Sequence, residues 1–173
     1  MASIIKVDQI QTAAGGTPTA ADLGINTTGN VIRTVSGAIA TSQQTNTTTT
    51  FTNLGDGISI TPTSSSSKFV VMLHVMASLA TANVQDNEVE FRIVKDIGGS
   101  ITELQKNTHR VYAYDASGVY VQSSVNWIVY DDPSTTSQIT YRLQGRSVKN
   151  SVGAQILGEV SSGNMWIVQE IAG

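Results

Sequence analysis

Glu88-Val89-Glu90-Phe91-Arg92-Ile93 alternates charged and apolar side chains without interruption. Successive side chains of an extended strand point to opposite faces, so Glu88, Glu90 and Arg92 fall on one side and Val89, Phe91 and Ile93 on the other. The stretch reads as a β-strand with one apolar and one wet face. The same period continues on either side of it. Val119, Val121, Val125, Trp127 and Val129 oppose Tyr120, Gln122, Ser124, Asn126 and Tyr130, and Ile139, Tyr141 and Leu143 oppose Thr140, Arg142 and Gln144. One buried and one solvated side per sheet is the pattern of a two-layer antiparallel sandwich.

From Val31 onward, short apolar runs are separated by clusters of Gly, Ser, Asn, Asp and Pro. Strands are expected at 31–41, 47–53, 57–62, 68–80, 87–96, 100–105, 109–114, 118–130, 137–145, 152–160 and 164–172. The turn residues between them include Gly55-Asp56-Gly57, Gly98-Gly99, Asp115-Ala116-Ser117-Gly118 and Asp131-Asp132-Pro133-Ser134. No stretch has the spacing of a long amphipathic helix.

Lys68 to Ala80 is the exception to alternation, because both of its faces are apolar. Phe69, Val71, Leu73, Val75 and Leu79 form one face, and Val70, Met72, His74 and Met76 the other. One of the two faces needs cover that the monomer's own core does not supply, and Val70, Met72, His74 and Met76 are the candidate interface residues. Either the N-terminal segment or a loop overlies it, or it is a subunit interface closed by a cyclic oligomer.

The first thirty residues carry no aromatic side chain and are rich in Ala, Gly and Thr, too small to build a core. Residues 1–30 therefore read as an arm ordered by what it touches, with a disordered terminus as the alternative. Its apolar positions, Ile5, Val7, Ile10, Leu23 and Ile25, are the candidate attachment residues. Residues 31–173 form the folded domain.

Composition narrows the function. The 173 residues are 40% hydrophobic but only 13% charged, with a net charge of −3, so no basic footprint for nucleic acid or anionic lipid exists. The absence of cysteine removes disulfides and thiolate chemistry. No apolar run is long enough for a membrane helix, and the opening residues lack the pattern of a secretory signal. His74 lies between Met72 and Met76, which favours a core or interface histidine over a catalytic one, and His109 falls in the polar stretch Lys106-Asn107-Thr108-His109-Arg110, read as a solvated turn. Asp131-Asp132 reads as a turn initiator, with a calcium loop as a weaker alternative. Glu88, Glu90 and Asp115 offer carboxylates but no acid and base constellation. No catalytic residue, metal ligand or cofactor motif emerges. Tyr112, Tyr114, Tyr120 and Tyr130 crowd one region with Trp127; they suit either stacking on sugar rings or cross-strand packing.

The run Ile4-Ile5-Lys6-Val7-Asp8-Gln9-Ile10-Gln11-Thr12-Ala13-Ala14-Gly15-Gly16-Thr17-Pro18-Thr19-Ala20-Ala21-Asp22-Leu23-Gly24-Ile25 resembles the opening segment of tail-fibre-like structural proteins of marine bacteriophages, including those of cyanobacteria and Pelagibacter-type hosts. Ile58 to Val71 resembles the jelly-roll-like domains that end such proteins. The resemblance implies a jelly-roll-like antiparallel β-sandwich behind an extended arm, in a non-enzymatic virion structural protein assembled in the host cytoplasm. It also implies a homotrimer, docked to other virion proteins such as capsid, portal or tail adaptor, with a host surface glycan as a further partner. The chain lacks a long shaft, which fits a short head fibre or capsid decoration better than a far-reaching fibre.

Overall fold

A computed structural model describes residues 15–18, 28–40, 42–80, 86–112, 120–149, 154–156 and 163–173. Among these residues there are eleven strands: β1 (Val31–Ala38), β2 (Gln44–Asn46), β3 (Thr52–Asn53), β4 (Ile58–Ile60), β5 (Lys68–Ala80), β6 (Asp86–Ile97), β7 (Ser100–Tyr112), β8 (Tyr120–Asp131), β9 (Ile139–Lys149), β10 (Ala154–Ile156) and β11 (Met165–Ile171). Every pairing is antiparallel.

Sheet A runs β1-β11-β5-β8, with β10 and β2 extending it beside the far end of β5, and sheet B runs β4-β9-β6-β7, with β3 also on β9. Take β1, β4, β5, β6, β7, β8, β9 and β11 as eight consecutive strands. One sheet is then first-eighth-third-sixth and the other second-seventh-fourth-fifth, the order of a jelly roll.

The inner faces are the ones that alternation selects. Phe69, Val71, Leu73 and Val75 of β5, Trp127 of β8 and Trp166 of β11 meet Val89, Phe91 and Ile93 of β6 and Ile139, Tyr141 and Leu143 of β9 in one buried cluster. Polar atoms at its margin are paired across the layers. The Tyr141 hydroxyl donates to Asp131 at 3.0 Å, Lys95 donates to the other Asp131 oxygen at 2.6 Å, and the Trp166 indole donates to the Asp56 carbonyl at 3.2 Å. Burial, reinforced by the adjacent Asp131 charge, pushes the Tyr141 phenol far above its ordinary range and keeps it a donor.

Four details differ from the sequence reading. Residues 106–108 do not break the strand: Lys106, Asn107 and Thr108 pair with Arg92, Phe91 and Glu90, so β7 is continuous through His109. His109 is not a solvated turn residue; its ring meets Phe91 edge-on at 5.4 Å, its Nε2 is buried without a hydrogen-bond partner, and burial lowers its pKa. The strand expected at 47–53 is interrupted by Asn46, whose amide donates to the Thr50 and Gly145 carbonyls and accepts from Thr48, holding a loop that an unbroken strand would not allow. Finally, Asp131 is the buried end of β8 rather than part of the turn, which begins with Asp132. The turn at Gly55 does need glycine: φ is +82°, and a side chain there would strike the Ile39 carbonyl oxygen.

Candidate assembly surface

Register carries the second face of β5 into a larger patch. Because β5 lies between β11 and β8, each outward residue of β5 heads a row across three strands. Val70 stands beside Gln169 and Tyr130, Met72 beside Ile167 and Ile128, and His74 beside Met165 and Asn126; Met76 pairs with Ser124. Val70, Met72, His74 and Met76 are each half-buried. Ile128 is 74% exposed, Tyr130 62% and Met165 39%. An open depression of about 220 Å³ runs between Met72, His74, Asn126, Ile128, Met165 and Ile167.

The polar groups of this patch bond to one another. His74 Nδ1 lies 2.6 Å from Asn126 Oδ1, and the Asn126 amide nitrogen reaches Ser124 Oγ at 3.5 Å. The Asn164 side chain accepts from the Met76 backbone N–H at 2.7 Å. Among the described residues, formal charge enters at one end, where Lys68 and Asp132 pair; that contact lowers the pKa of Asp132 and raises that of Lys68.

Sheet B treats its outer face differently. Glu88 faces Arg110 and Lys149 at 3.9 and 3.7 Å, Glu90 faces Arg146 at 2.6 Å, and Arg92 faces Glu103 at 3.1 Å. The Phe51 ring sits beneath Arg92 and Arg146, whose guanidinium carbons lie 3.9 and 4.6 Å from its centroid. Glu90 is only 9% exposed, so this face is less wet than alternation suggested.

Other expected positions are more dispersed. Ile5, Val7, Ile10, Leu23 and Ile25 lie outside the described residues, as does Tyr114. Tyr112 ends β7 in sheet B, and Tyr120 begins β8 in sheet A; only their backbone is described. Tyr120 and Tyr130 are ten residues apart on one strand, about 33 Å, so they do not form one stacking platform. The sequence reading missed Ile128, Met165 and Ile167. Ile128 carried a signal, as an apolar side chain on the otherwise polar side of β8. Among the described residues, no cluster of His, Asp and Glu could hold a metal ion, and no helix is long and apolar enough to cross a membrane.

No protein-family model matches the chain, and no curated protein does. Solved structures of infectious bursal disease virus are similar over most of its length. A structure of the Gx strain covers 84% of this chain at 11% identity with a TM-score of 0.36. One of the Gt strain covers 83% at 12% identity with a TM-score of 0.38, and the VP2 subviral particle covers 81% at 11% identity with a TM-score of 0.32. The chain spans about a third of those chains, 34%, 34% and 37% respectively.

Proposed function

We propose that the protein is a non-enzymatic virion structural protein of a bacteriophage, a short trimeric surface appendage of the tail-fibre, head-fibre or decoration kind. The observation that carries the assembly reading is the largely apolar outer face of sheet A, whose central rows hold no charged side chain among the described residues, set against an ion-paired outer face on sheet B. Val70, Met72, His74 and Met76 are its central interface residues, extended by Ile128, Tyr130 and Met165. Burying such side chains contributes roughly 25 cal/mol per Å² of apolar area. The phage assignment is supported by the resemblance of residues 4–25, whose role is to dock the domain to capsid, portal or tail adaptor.

Deleting residues 2–25 and adding the variant to particles depleted of the native protein tests the docking role. The truncated chain is expected to remain a trimer and to stay off the particle; normal incorporation would overturn the docking claim. A second reading, recognition of a host surface glycan, draws on Tyr130, exposed beside an open depression that contains Asn126. It predicts glycan-array binding that Tyr130→Ala abolishes.

A further inference from the structure

We infer that residues 29–33 form a mechanical clamp at the root of the arm: Arg33, seated on the buried carboxylate of Glu170, stops β1 from peeling off β11 when the arm is pulled. The docking role of the arm supplies the pull, so the inference rests on that reading. The clamp itself is a property of the folded domain.

β1 joins the arm to the sandwich, and its side chains hold it weakly. It lies at the end of sheet A with β11 as its neighbour, and none of its eight side chains is fully buried. Full burial begins with the next residue, Ile39. A strand held mainly by its ladder is open to unzipping from one end. The ladder bonds of an antiparallel pair run perpendicular to the strands, so a pull across the sheet breaks them one rung at a time. The rungs nearest the arm break first.

The fastenings are gathered at that end. The Gly29 N–H donates to the Ala172 carbonyl at 2.8 Å, and the Ala172 N–H donates to the Asn30 carbonyl at 2.9 Å. The register then shifts between Val31, opposite Ile171, and Arg33, opposite Glu170, so Ile32 is the extra residue of a β-bulge. The bulge sets Arg33 directly across from Glu170. Arg33 Nη2 donates to Glu170 Oε2 at 2.7 Å and to the Thr61 carbonyl at 2.6 Å. Glu170 has no exposed surface, and its other oxygen accepts from the Thr63 N–H at 2.6 Å and the Thr63 hydroxyl at 2.7 Å. Arg33 thus ties β1 both to β11 and to the connection between β4 and β5. Such charged hydrogen bonds are about twice as strong as neutral ones, and removing one partner leaves a buried carboxylate uncompensated. Beyond Arg33, β1 pairs with β11 rung by rung from Thr34 to Ala38. A pull that passes the clamp would free the strand as far as Ile39.

Magnetic tweezers acting on the full chain test this. One handle is the N-terminus and the other a cysteine introduced at Ser137, a single thiol because the sequence has none. Ser137 lies between β8 and β9, at the same end of the sandwich as Val31, so the pull runs across the strands. Release of residues 29–38 reads as an extension step of about 30 Å. Arg33→Gln should open at least about tenfold faster at equal force. Val35→Ala, on the same strand past the clamp, should stay within about twofold, because its contacts are intact when the root gives way. A Val35→Ala rate that rises as much as its loss of stability in urea, or an unchanged Arg33→Gln rate, overturns the clamp. If Arg33→Gln does not fold, hydrogen exchange of the wild type decides. The β1 amides bonded to β11 should be protected alongside those of β11, and local exchange of β1 alone overturns the inference. Failure of the docking reading shows in the truncation of residues 2–25 instead, since no particle enters this measurement.

Discussion

The outer faces of the two sheets are built from strands of similar length in one jelly roll, yet their side chains differ in kind. Across β7, β6 and β9, rows headed by Glu88, Glu90 and Arg92 hold opposite charges within 4 Å, with Phe51 capped by two guanidinium groups. Across β11, β5 and β8, the matching rows hold Gln169, Val70 and Tyr130, then Ile167, Met72 and Ile128. Few charges are present in the chain, and those of β6 are concentrated where sheet B meets solvent. The difference teaches that a self-sufficient outer face is within this chain's means. The central rows of sheet A lack such pairing, which is the feature the proposed interface draws on.

The strongest way to break the comparison is to give sheet A the chemistry of sheet B. Met72→Glu combined with Ile128→Glu places two carboxylates in the central row, where assembly would bury them unpaired. Association measured by sedimentation should fall at least about 100-fold, because desolvating even one unpaired charge costs several kcal/mol. Monomer stability in urea should change by only about 0.5 kcal/mol, as both positions face outward. An oligomer that survives both substitutions would remove the face from consideration.

The converse change acts on the fold. Glu90 accepts from Arg146 at 2.6 Å and from Thr108 at 3.4 Å while largely buried. Glu90→Ala should cost about 2 kcal/mol of monomer stability by leaving those donors unmatched, with association of the folded fraction unchanged. Loss of assembly at constant stability would reverse the roles assigned to the two faces.

Alternation made much of this visible before any coordinates, because which face a side chain takes along a strand is a local property. It separated Phe69, Val71, Leu73 and Val75 from Val70, Met72, His74 and Met76, and burial shows that the first set is the inner one; for β6, β8 and β9 alternation divided the faces in the same way. The extent of the patch was not legible. Met165 and Ile167 join it only because β11 pairs with β5, a contact made by residues about ninety apart in the chain. Asp131 misled for a related reason: beside Asp132 and Pro133 it read as a turn initiator, while Lys95 and Tyr141, distant in the chain or on another strand, hold it in the interior. Lys106 to His109 looked like a turn by composition, but pairing with β6 outweighs local preference.

Acid acts on the fold through Glu170. Burial alone would raise the Glu170 pKa, but the backbone N–H and hydroxyl of Thr63, Ser67 and Arg33 hold it below the ordinary carboxylate value. A depressed folded-state pKa stabilises above the unfolded value of about 4.3, and that contribution disappears as pH falls through the folded one. Glu170→Gln should therefore cost about 1.5 kcal/mol at pH 7 and flatten the acid limb of the urea-midpoint profile. An acid limb identical in the wild type and the variant would mean that Glu170 does not govern the acid response of the fold.

The smallest effect belongs to the exposed end of the sheet B ladder. Arg92 reaches Glu103 at 3.1 Å, but Glu103 is 40% exposed and Arg92 also donates to Gln144 at 2.9 Å. Glu103→Gln leaves the Arg92 bond to Gln144 and its contact with Phe51 in place, so the expected cost is about 0.5 kcal/mol, shrinking further in 1 M salt. The Glu90 pair, nearly enclosed, should keep most of its contribution in the same salt. If the two substitutions responded equally to ionic strength, the ladder would be a uniformly solvated row of charges. Sheet B would then owe its outer face to hydration rather than to pairing, and the contrast with sheet A would rest on polarity alone.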